Sequence, residues 1–313
     1  MNKIVVFGAC GFIGQHLVKA LATVSENQII AFDRFSDYEN TLNNPFVNFK
    51  NVKIVPGNFF NRTDVMNVLE NTDYVFHLVS STNPVSSSND PFIDIDTNIK
   101  SSIELFELCV EYNIKKIIFP SSGGTIYGDI DSLQISEEIV PKPRSPYGIS
   151  KLTIEHYLRY FKHISNLNYI VYRIGNPYGP GQNIFGKQGV IPIFMHKFLL
   201  QEPITIYGDG TMIRDYVYID DLINMIVKSY DKDNQFSEYN LGSGQGHTVN
   251  ELINSIEKHT GYSVGSKHID VPLTFVYKSV LDINRFVQEF NIRPTVSLDE
   301  GIKRTWQYVK DLK

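Results

Sequence analysis

The segment Gly8-Ala9-Cys10-Gly11-Phe12-Ile13-Gly14 follows the β-branched run at residues 3–7 and opens the amphipathic run at 12–23. Between a strand and a helix, glycines at this spacing let the backbone turn tightly and approach a pyrophosphate, whose charge then rests on the helix N-terminus. Outside that context the same glycines carry little information. Here they predict a dinucleotide cradle made by Gly8, Gly11, Phe12, Ile13 and Gly14. Asp33, nineteen residues after Gly14, closes the next predicted strand and suits the hydroxyls of an adenosine ribose. A carboxylate there repels a 2′-phosphate, so NAD is expected over NADP. Arg34 is expected against the adenine or in water.

Outward from the loop, short β-branched runs alternate with amphipathic ones, the pattern of a doubly wound parallel sheet with helices on both faces. Strands are expected over 3–7, 28–32, 52–55, 74–78, 116–120 and 169–173, and helices over 12–23, 62–70, 98–112 and 147–161. Several strands are apolar throughout, which implies burial on both sides. The run Asn176-Pro177-Tyr178-Gly179-Pro180-Gly181-Gln182 changes the chain's character, and short elements joined by long loops are expected after it. The expected organisation is a Rossmann domain over 1–175 and a smaller α/β lobe mainly over 176–313. The two interleave, because Tyr239-Asn240-Leu241-Gly242 reads as a strand near 238–242 that completes the first sheet.

A net charge of −5 and a pI near 5.9 argue against a nucleic-acid partner or an anionic membrane surface. No stretch is long and apolar enough to span a bilayer. The two cysteines, Cys10 and Cys109, sit in a glycine loop and an apolar helical run, so no disulfide framework is expected and the cytoplasm fits best. The eight histidines show no metal-ligand spacing, and His77 at a strand end reads as structural.

Tyr147 and Lys151 stand four residues apart in Ser145-Pro146-Tyr147-Gly148-Ile149-Ser150-Lys151, on one face of a predicted helix. An ammonium there, together with the positive nicotinamide of an oxidised cofactor, favours phenolate over phenol. Tyr147 is therefore the expected proton acceptor. A Tyr-x-x-x-Lys pair alone is common; downstream of a dinucleotide loop it is informative.

In order along the chain, the glycine loop, Asp33, Gly57-Asn58, His77-Leu78-Val79, Asn98, residues Ser121-Ser122-Gly123-Gly124-Thr125-Ile126-Tyr127-Gly128, Tyr147 to Lys151, Arg173 to Gln182, Arg214-Asp215-Tyr216 and Leu281-Asp282-Ile283 resemble an extended short-chain dehydrogenase/reductase. The resemblance is to the nucleotide-sugar epimerase/dehydratase group, and within it to UDP-glucose 4-epimerase-like members. It implies that Asn58, where the family usually has Asp, and Phe59 flank the adenine. It further implies that Leu78, Val79, Ser80 and Ser121 line the cofactor's path, and that Asn98, besides a possible helix N-cap role, seats the catalytic residues. Thr82 stands on the substrate side where some epimerases carry a lysine. A hydroxyl that relays the proton of the sugar 4-oxygen corresponds to Gly123 here, so Thr125, with Ser122 as the alternative, is expected to supply it. On the nucleotide-sugar side the resemblance implies Asn176 and Arg214 at the diphosphate, with Lys267 in place of a second arginine. Gly189 and Val190 fall at the ribose or base, and Ile206 with Tyr207 at the pyrimidine wall. The gate beside the sugar 2-position falls on Thr274 counted from Asp270 or on Ser279 counted from Asp282.

The implied reaction is NAD-dependent 4-epimerisation of a UDP-hexose through a transient 4-keto sugar. Dehydratases of the group carry acids where this chain has Gly124-Thr125, which weakens that rival; a 4-keto-sugar reductase needs only the tyrosine, the lysine and hydride. A non-catalytic NAD-sensing protein is disfavoured by the intact pair. A homodimer is implied, through a four-helix interface in which Ile99, Ile103, Phe106, Val110, Ile154, Leu158 and Phe161 are surplus to the sheet contact.

Overall fold

Ile4, Val5, Val6 and Phe7 are wholly excluded from solvent, as a strand covered on both faces must be. They belong to β1 (Lys3–Phe7) in a computed structural model that describes residues 2–35, 45–186, 189–272 and 275–312. The further strands are β2 (Gln28–Asp33), β3 (Val52–Pro56), β4 (Tyr74–His77), β5 (Lys116–Ser122), β6 (Tyr169–Ile174), β7 (Asn176–Tyr178), β8 (Ile204–Tyr207), β9 (Ile213–Tyr218), β10 (Glu238–Leu241), β11 (Gly246–Thr248), β12 (Ser266–Ile269) and β13 (Lys278–Ser279). A seven-stranded sheet runs in the order β10-β6-β5-β4-β1-β2-β3. The pairings of β1 with β2 and β4, of β2 with β3 and of β4 with β5 are all parallel. Strand order reverses at β1, and in a doubly wound sheet the crevice beyond the carboxyl ends at that point is where a ligand fits. β10 supplies the extra strand expected near 238–242.

The chain forms two units that interleave in sequence. One comprises Met1–Ser122, Ser145–Tyr172 and Ile226–Tyr239; the other, smaller, comprises Gly123–Arg144, Arg173–Met225 and Asn240–Lys313. In the first unit the helices are α1 (Phe12–Ala22), α2 (Arg62–Leu69), α3 (Pro84–Asn89), α4 (Pro91–Ile93), α5 (Lys100–Glu111) and α6 (Pro146–Ser165), with a π-helical turn at Asp94–Ile99 joining α4 to α5. Phe7, Phe32, Phe106, Phe119, Ile154 and Leu158 belong to the core beneath α2, α5 and α6. This corrects the dimer argument in part. Phe106, Ile154, Leu158 and Phe161 are already buried inside the chain, and only Ile99, Ile103 and Val110 of the expected set stay partly open.

Two helices begin earlier than their periodicity suggested. α6 starts at Pro146 because Ser145 caps it, its Oγ accepting from the Gly148 amide at 3.2 Å, and because proline suits the first helical position. The run before α5 starts at Pro91, capped by Asp90, so Asn98 lies within the π turn and is no N-cap. The second half is also more regular than expected. It carries α7 (Val190–Leu200), α8 (Ile219–Ser229), α9 (Val249–Thr260), α10 (Asn284–Phe290) and α11 (Leu298–Asp311), α7, α9 and α10 ending in the left-handed conformation at Gln201, Gly261 and Asn291. Its strands β11, β9 and β13 pair side by side, with β7 also on β9 and β8 paired to β12.

Candidate active site

Gly8, at φ +85°, turns the chain out of β1, and its amide donates to the Phe32 carbonyl at 3.0 Å. A Cβ on Gly14 would stand 2.1 Å from the Gly8 carbonyl oxygen, so the helix can approach the loop only with glycine there. Gly11 caps α1 without a side chain, which leaves the first amides of the helix, those of Phe12, Ile13 and Gly14, open to an anion. Phe12 and Ile13 contribute through backbone: the Phe12 ring packs on His16 at 5.6 Å. The Asp33 carboxylate accepts from the Cys10 amide at 2.9 Å and the Arg34 amide at 2.7 Å, tying the end of β2 to the loop.

These residues border a cleft of about 490 Å³ at the carboxyl ends of β1 to β4. Of the expected cofactor residues, Gly8, Gly11, Asp33, Arg34, Asn58, Phe59, Leu78, Val79 and Ser80 line it, and Cys10, Phe35, Gly57, Phe60 and Ser81 join them unforeseen. The Phe59 ring is turned into the core, stacked on His77 at 4.9 Å, whereas Phe60 is 41% exposed and has the free aromatic face. Asn58 folds its side chain back, Oδ1 accepting from the Phe60 amide at 3.1 Å. A cleft that joins a side-chain-free helix start to a carboxylate held against the same loop fits a dinucleotide.

On α6, the Lys151 ammonium donates to the Pro120 carbonyl at 3.3 Å and lies 4.7 Å from the Phe119 ring centroid and 5.8 Å from that of Tyr147. Burial pulls its pKa down to about 8, against the opposing pull of Asp94 and Glu155. Tyr147 goes the other way: burial, and then the Asp94 charge, push its phenol up to about 12. The expectation of a lysine-favoured phenolate is therefore not met in the protein by itself. The ammonium is committed to a carbonyl and a ring face, and burial with the Asp94 charge keeps the phenol protonated despite it.

Three expected contacts are used elsewhere. The Ser121 hydroxyl donates to the buried Glu155 carboxylate. The Thr82 hydroxyl donates to Asp94 at 2.6 Å. Asn98 accepts from the Ser81 amide at 3.0 Å and donates to Thr82 Oγ1 and Asp94 Oδ1 at 2.9 and 2.7 Å. His77 is structural. Its Nε2 meets Ser102 Oγ at 2.7 Å, and since that hydroxyl donates to the Asn98 carbonyl, the ring nitrogen must be the donor. Burial brings the His77 pKa down to about 3, so the ring is neutral.

In the second unit the segment after β5 has two distinctive positions. A Cβ on Gly123 would meet Leu281 Cδ1 at 2.7 Å and the Arg173 carbonyl at 3.0 Å, so the space a hydroxyl side chain needs is occupied. Thr125 Oγ1 is buried and has no hydrogen-bond partner. A Cβ on Gly124 would stand 3.8 Å from Asn176 Nδ2, which brings Asn176 beside this segment. Ser122 is half-buried at the end of β5.

Arg214 forms no ion pair with Asp215 or Asp220. Its guanidinium donates to the Ile213, Tyr277 and Val276 carbonyls and lies 5.5 Å from the Phe275 ring centroid. Asp215 is spent on Ser243, Gly244 and Leu281. Gly189, at φ +90°, caps α7 ahead of Val190 and lies against Gln182, whose Oε1 is buried and unpartnered; sequence reasoning assigned Gln182 no role. Ile206 and Tyr207 do not make one wall. Successive side chains of β8 point to opposite faces, Ile206 buried and Tyr207 43% exposed. Lys267 is exposed on β12, opposite Thr205.

Among the described residues no helix is long and apolar enough to cross a membrane, and no group of three or more acidic, histidine or cysteine side chains is placed to hold a metal. The chain is 35% identical over 308 residues to the dTDP-4-dehydro-6-deoxyglucose reductase of Escherichia coli, covering 97% of this chain and 96% of that protein. It is 32% identical over 309 residues to a putative UDP-glucose 4-epimerase of Methanocaldococcus jannaschii, with 98% of each covered. The crystal structure of the Thermotoga maritima UDP-glucose 4-epimerase with UDP-glucose superposes with a TM-score of 0.91 at 34% identity, over 99% of each chain. The sequence model of the NAD dependent epimerase/dehydratase family matches residues 4–242, and with the glycine cradle, the cleft and the Tyr147–Lys151 pair in place, the chain belongs to that family of NAD-dependent nucleotide-sugar enzymes.

Proposed function

We propose that the protein is a UDP-hexose 4-epimerase, interconverting UDP-glucose and UDP-galactose and admitting their N-acetylated forms. One observation carries the choice among the family's reactions: Thr125 offers a buried hydroxyl with no partner, next to a Gly124 that brings no acid for chemistry at C5. A buried hydroxyl left unpaired is costly, and a ligand oxygen relieves that cost. NAD bound along the cleft would supply hydride acceptance and return at the sugar C4. Tyr147 takes the proton from the C4 hydroxyl and gives it back. Lys151 supplies positive charge beneath the phenol, Thr125 hydrogen-bonds the 4-oxygen, and Asn176 and Arg214 hold the diphosphate. Arg214 suits that task because it forms no ion pair among the described residues. Asp33 meets the adenosine ribose through its carboxylate, and the glycine loop acts through its backbone.

A second reading, reduction of a nucleotide 4-keto-sugar, is favoured by the sealed position at Gly123. Epimerisation moves a proton off and back onto the 4-oxygen with the sugar in two orientations, whereas reduction delivers it once. Relatedness to a dTDP-sugar reductase points the same way. Incubating the purified protein with UDP- and dTDP-sugars and following products by NMR separates the two. Interconversion of UDP-glucose and UDP-galactose without net NADH consumption supports the first reading; turnover only of 4-keto sugars with stoichiometric NAD(P)H oxidation replaces it. We also propose a homodimer paired through α5 and α6, where Ile149 and Tyr160 form an outward stripe with His156.

A further inference from the structure

Asp94 is 2% exposed, in the first position of the π turn, and none of the roles given so far uses it. Its Oδ1 accepts three hydrogen bonds, from Thr82 Oγ1 at 2.6 Å, Asn98 Nδ2 at 2.7 Å and Ser150 Oγ at 3.0 Å. Its Oδ2 is buried with no partner. Ser150 precedes Lys151 and shares its one hydroxyl hydrogen between Asp94 and the Tyr147 carbonyl at 2.9 Å, so a single side chain separates the carboxylate from the turn of α6 that carries the pair. A π turn is a costly local geometry that recurs at functional sites. Here it brings Asp94 and Asn98 inward together, and only one carboxylate oxygen is satisfied. A carboxylate needed only as a structural acceptor has no reason to keep its second oxygen dry and unpaired.

We propose that Asp94 is a positioning residue for the Tyr147–Lys151 pair: its buried carboxylate holds the Lys151 ammonium charged and keeps the Tyr147 proton in place until a cation enters beside the phenol. In the empty site the charge sum favours the neutral phenol, since Asp94 opposes a second negative charge next to it. A cation held beside the phenol would reverse that sum. The proposal deepens the catalytic reading above and rests on it for its purpose, though not for its test. Other ionisable groups near the pair among the described residues do not share this role. Glu155 on α6 is engaged by Ser121, His77 on β4 is neutral, α3 carries no ionisable side chain, and Asp96 of the π turn is exposed. The Asp94 charge raises the pKa of both partners, the sign the proposal needs.

The test uses the full chain without cofactor or sugar. Asp94→Asn keeps an oxygen for the three donors and removes the charge. With 13C-labelled lysine, and the Lys151 resonance assigned by its loss in Lys151→Met, the ammonium should titrate near pH 8 in the parent and about one pH unit lower in Asp94→Asn, as loss of a neighbouring opposite charge requires. An unchanged midpoint in a folded Asp94→Asn protein, with only its melting temperature lowered, overturns the proposal in favour of a structural role. Should Asp94→Asn fail to fold, the parent alone decides: the Asp94 carboxyl 13C resonance must move as Lys151 loses its proton, and a flat signal through that range rejects the coupling. Because no turnover is read, failure to epimerise any sugar would sink the catalytic reading and leave this result standing.

Discussion

Lys151 carries a charge that its surroundings resist, and the sign of that resistance makes a stability prediction. Its folded pKa, near 8, lies below the 10.5 of a free lysine, so between those values the unfolded chain binds the extra proton. The burial penalty is therefore fully present below pH 8 and lifts as pH rises towards 10.5. Lys151→Met should be inactive yet at least as stable as the parent at pH 7, by up to about 3 kcal/mol, with the advantage shrinking across that window; thermal melts at several pH values read it. A variant markedly less stable at pH 7 would mean that the ammonium is well paired after all. Tyr147→Phe should lower turnover by at least about a hundredfold with NAD affinity nearly unchanged, and normal turnover would remove the mechanism. Asp33 predicts the cofactor form. Its carboxylate is held by two amides at the end of β2, where a 2′-phosphate would meet it, and titration should find NAD bound more tightly than NADP. Tenfold tighter NADP would give the decision to Arg34.

The end of β5 and the segment after it show where a linear reading stops. A hydroxyl missing at Gly123 is visible in the sequence; that Leu281, far along the chain, fills the space is not, because it depends on a tertiary contact. Gly123→Ser should therefore fail to improve turnover and should cost about 1–3 kcal/mol through overpacking. Leu281→Ala in the same chain should recover part of that loss in a double-mutant cycle, and strict additivity would show that the two do not share the space. Thr125→Ala should slow turnover while sparing substrate affinity and leave stability unharmed, since the hydroxyl it removes has no partner. Wild-type turnover in Thr125→Ala, with Ser122→Ala impaired, would move the role to Ser122. Elements with a local signal were legible in the same way: the glycine loop, Asp33 closing β2 and the pair on α6 each follow from neighbours within a turn or a strand. Asp94 was not. It precedes the helix expected from Asn98, and only the π turn and the contacts of Thr82 and Ser150 bury it.

At the scale of the whole molecule the proposed reading makes a prediction about the sugar, through the two candidate gate positions. Thr274, one of the two gate positions, lies outside the described residues. Ser279, the other, is 2% exposed on β13, pairs in register with Arg214 of β9, and directs its hydroxyl to the Gly123 carbonyl at 3.5 Å. Its small side chain thus lies between the anchor proposed for the diphosphate and the segment proposed to meet the 4-oxygen. The bulky neighbours that would close the space are accounted for: Phe275 packs its ring under the Arg214 guanidinium, and Tyr277 stands 56% exposed with its edge on Phe275 at 5.3 Å. Either register leaves a small residue at the gate, so measurable 4-epimerisation of UDP-N-acetylglucosamine is expected beside that of UDP-glucose. Assaying both sugars with one enzyme preparation decides it. Robust conversion of UDP-galactose with none of the N-acetylated sugar would show the gate closed, most directly by Phe275 leaving Arg214. Conversion of neither, with 4-keto sugars reduced instead, would transfer the whole site to the reductase reading.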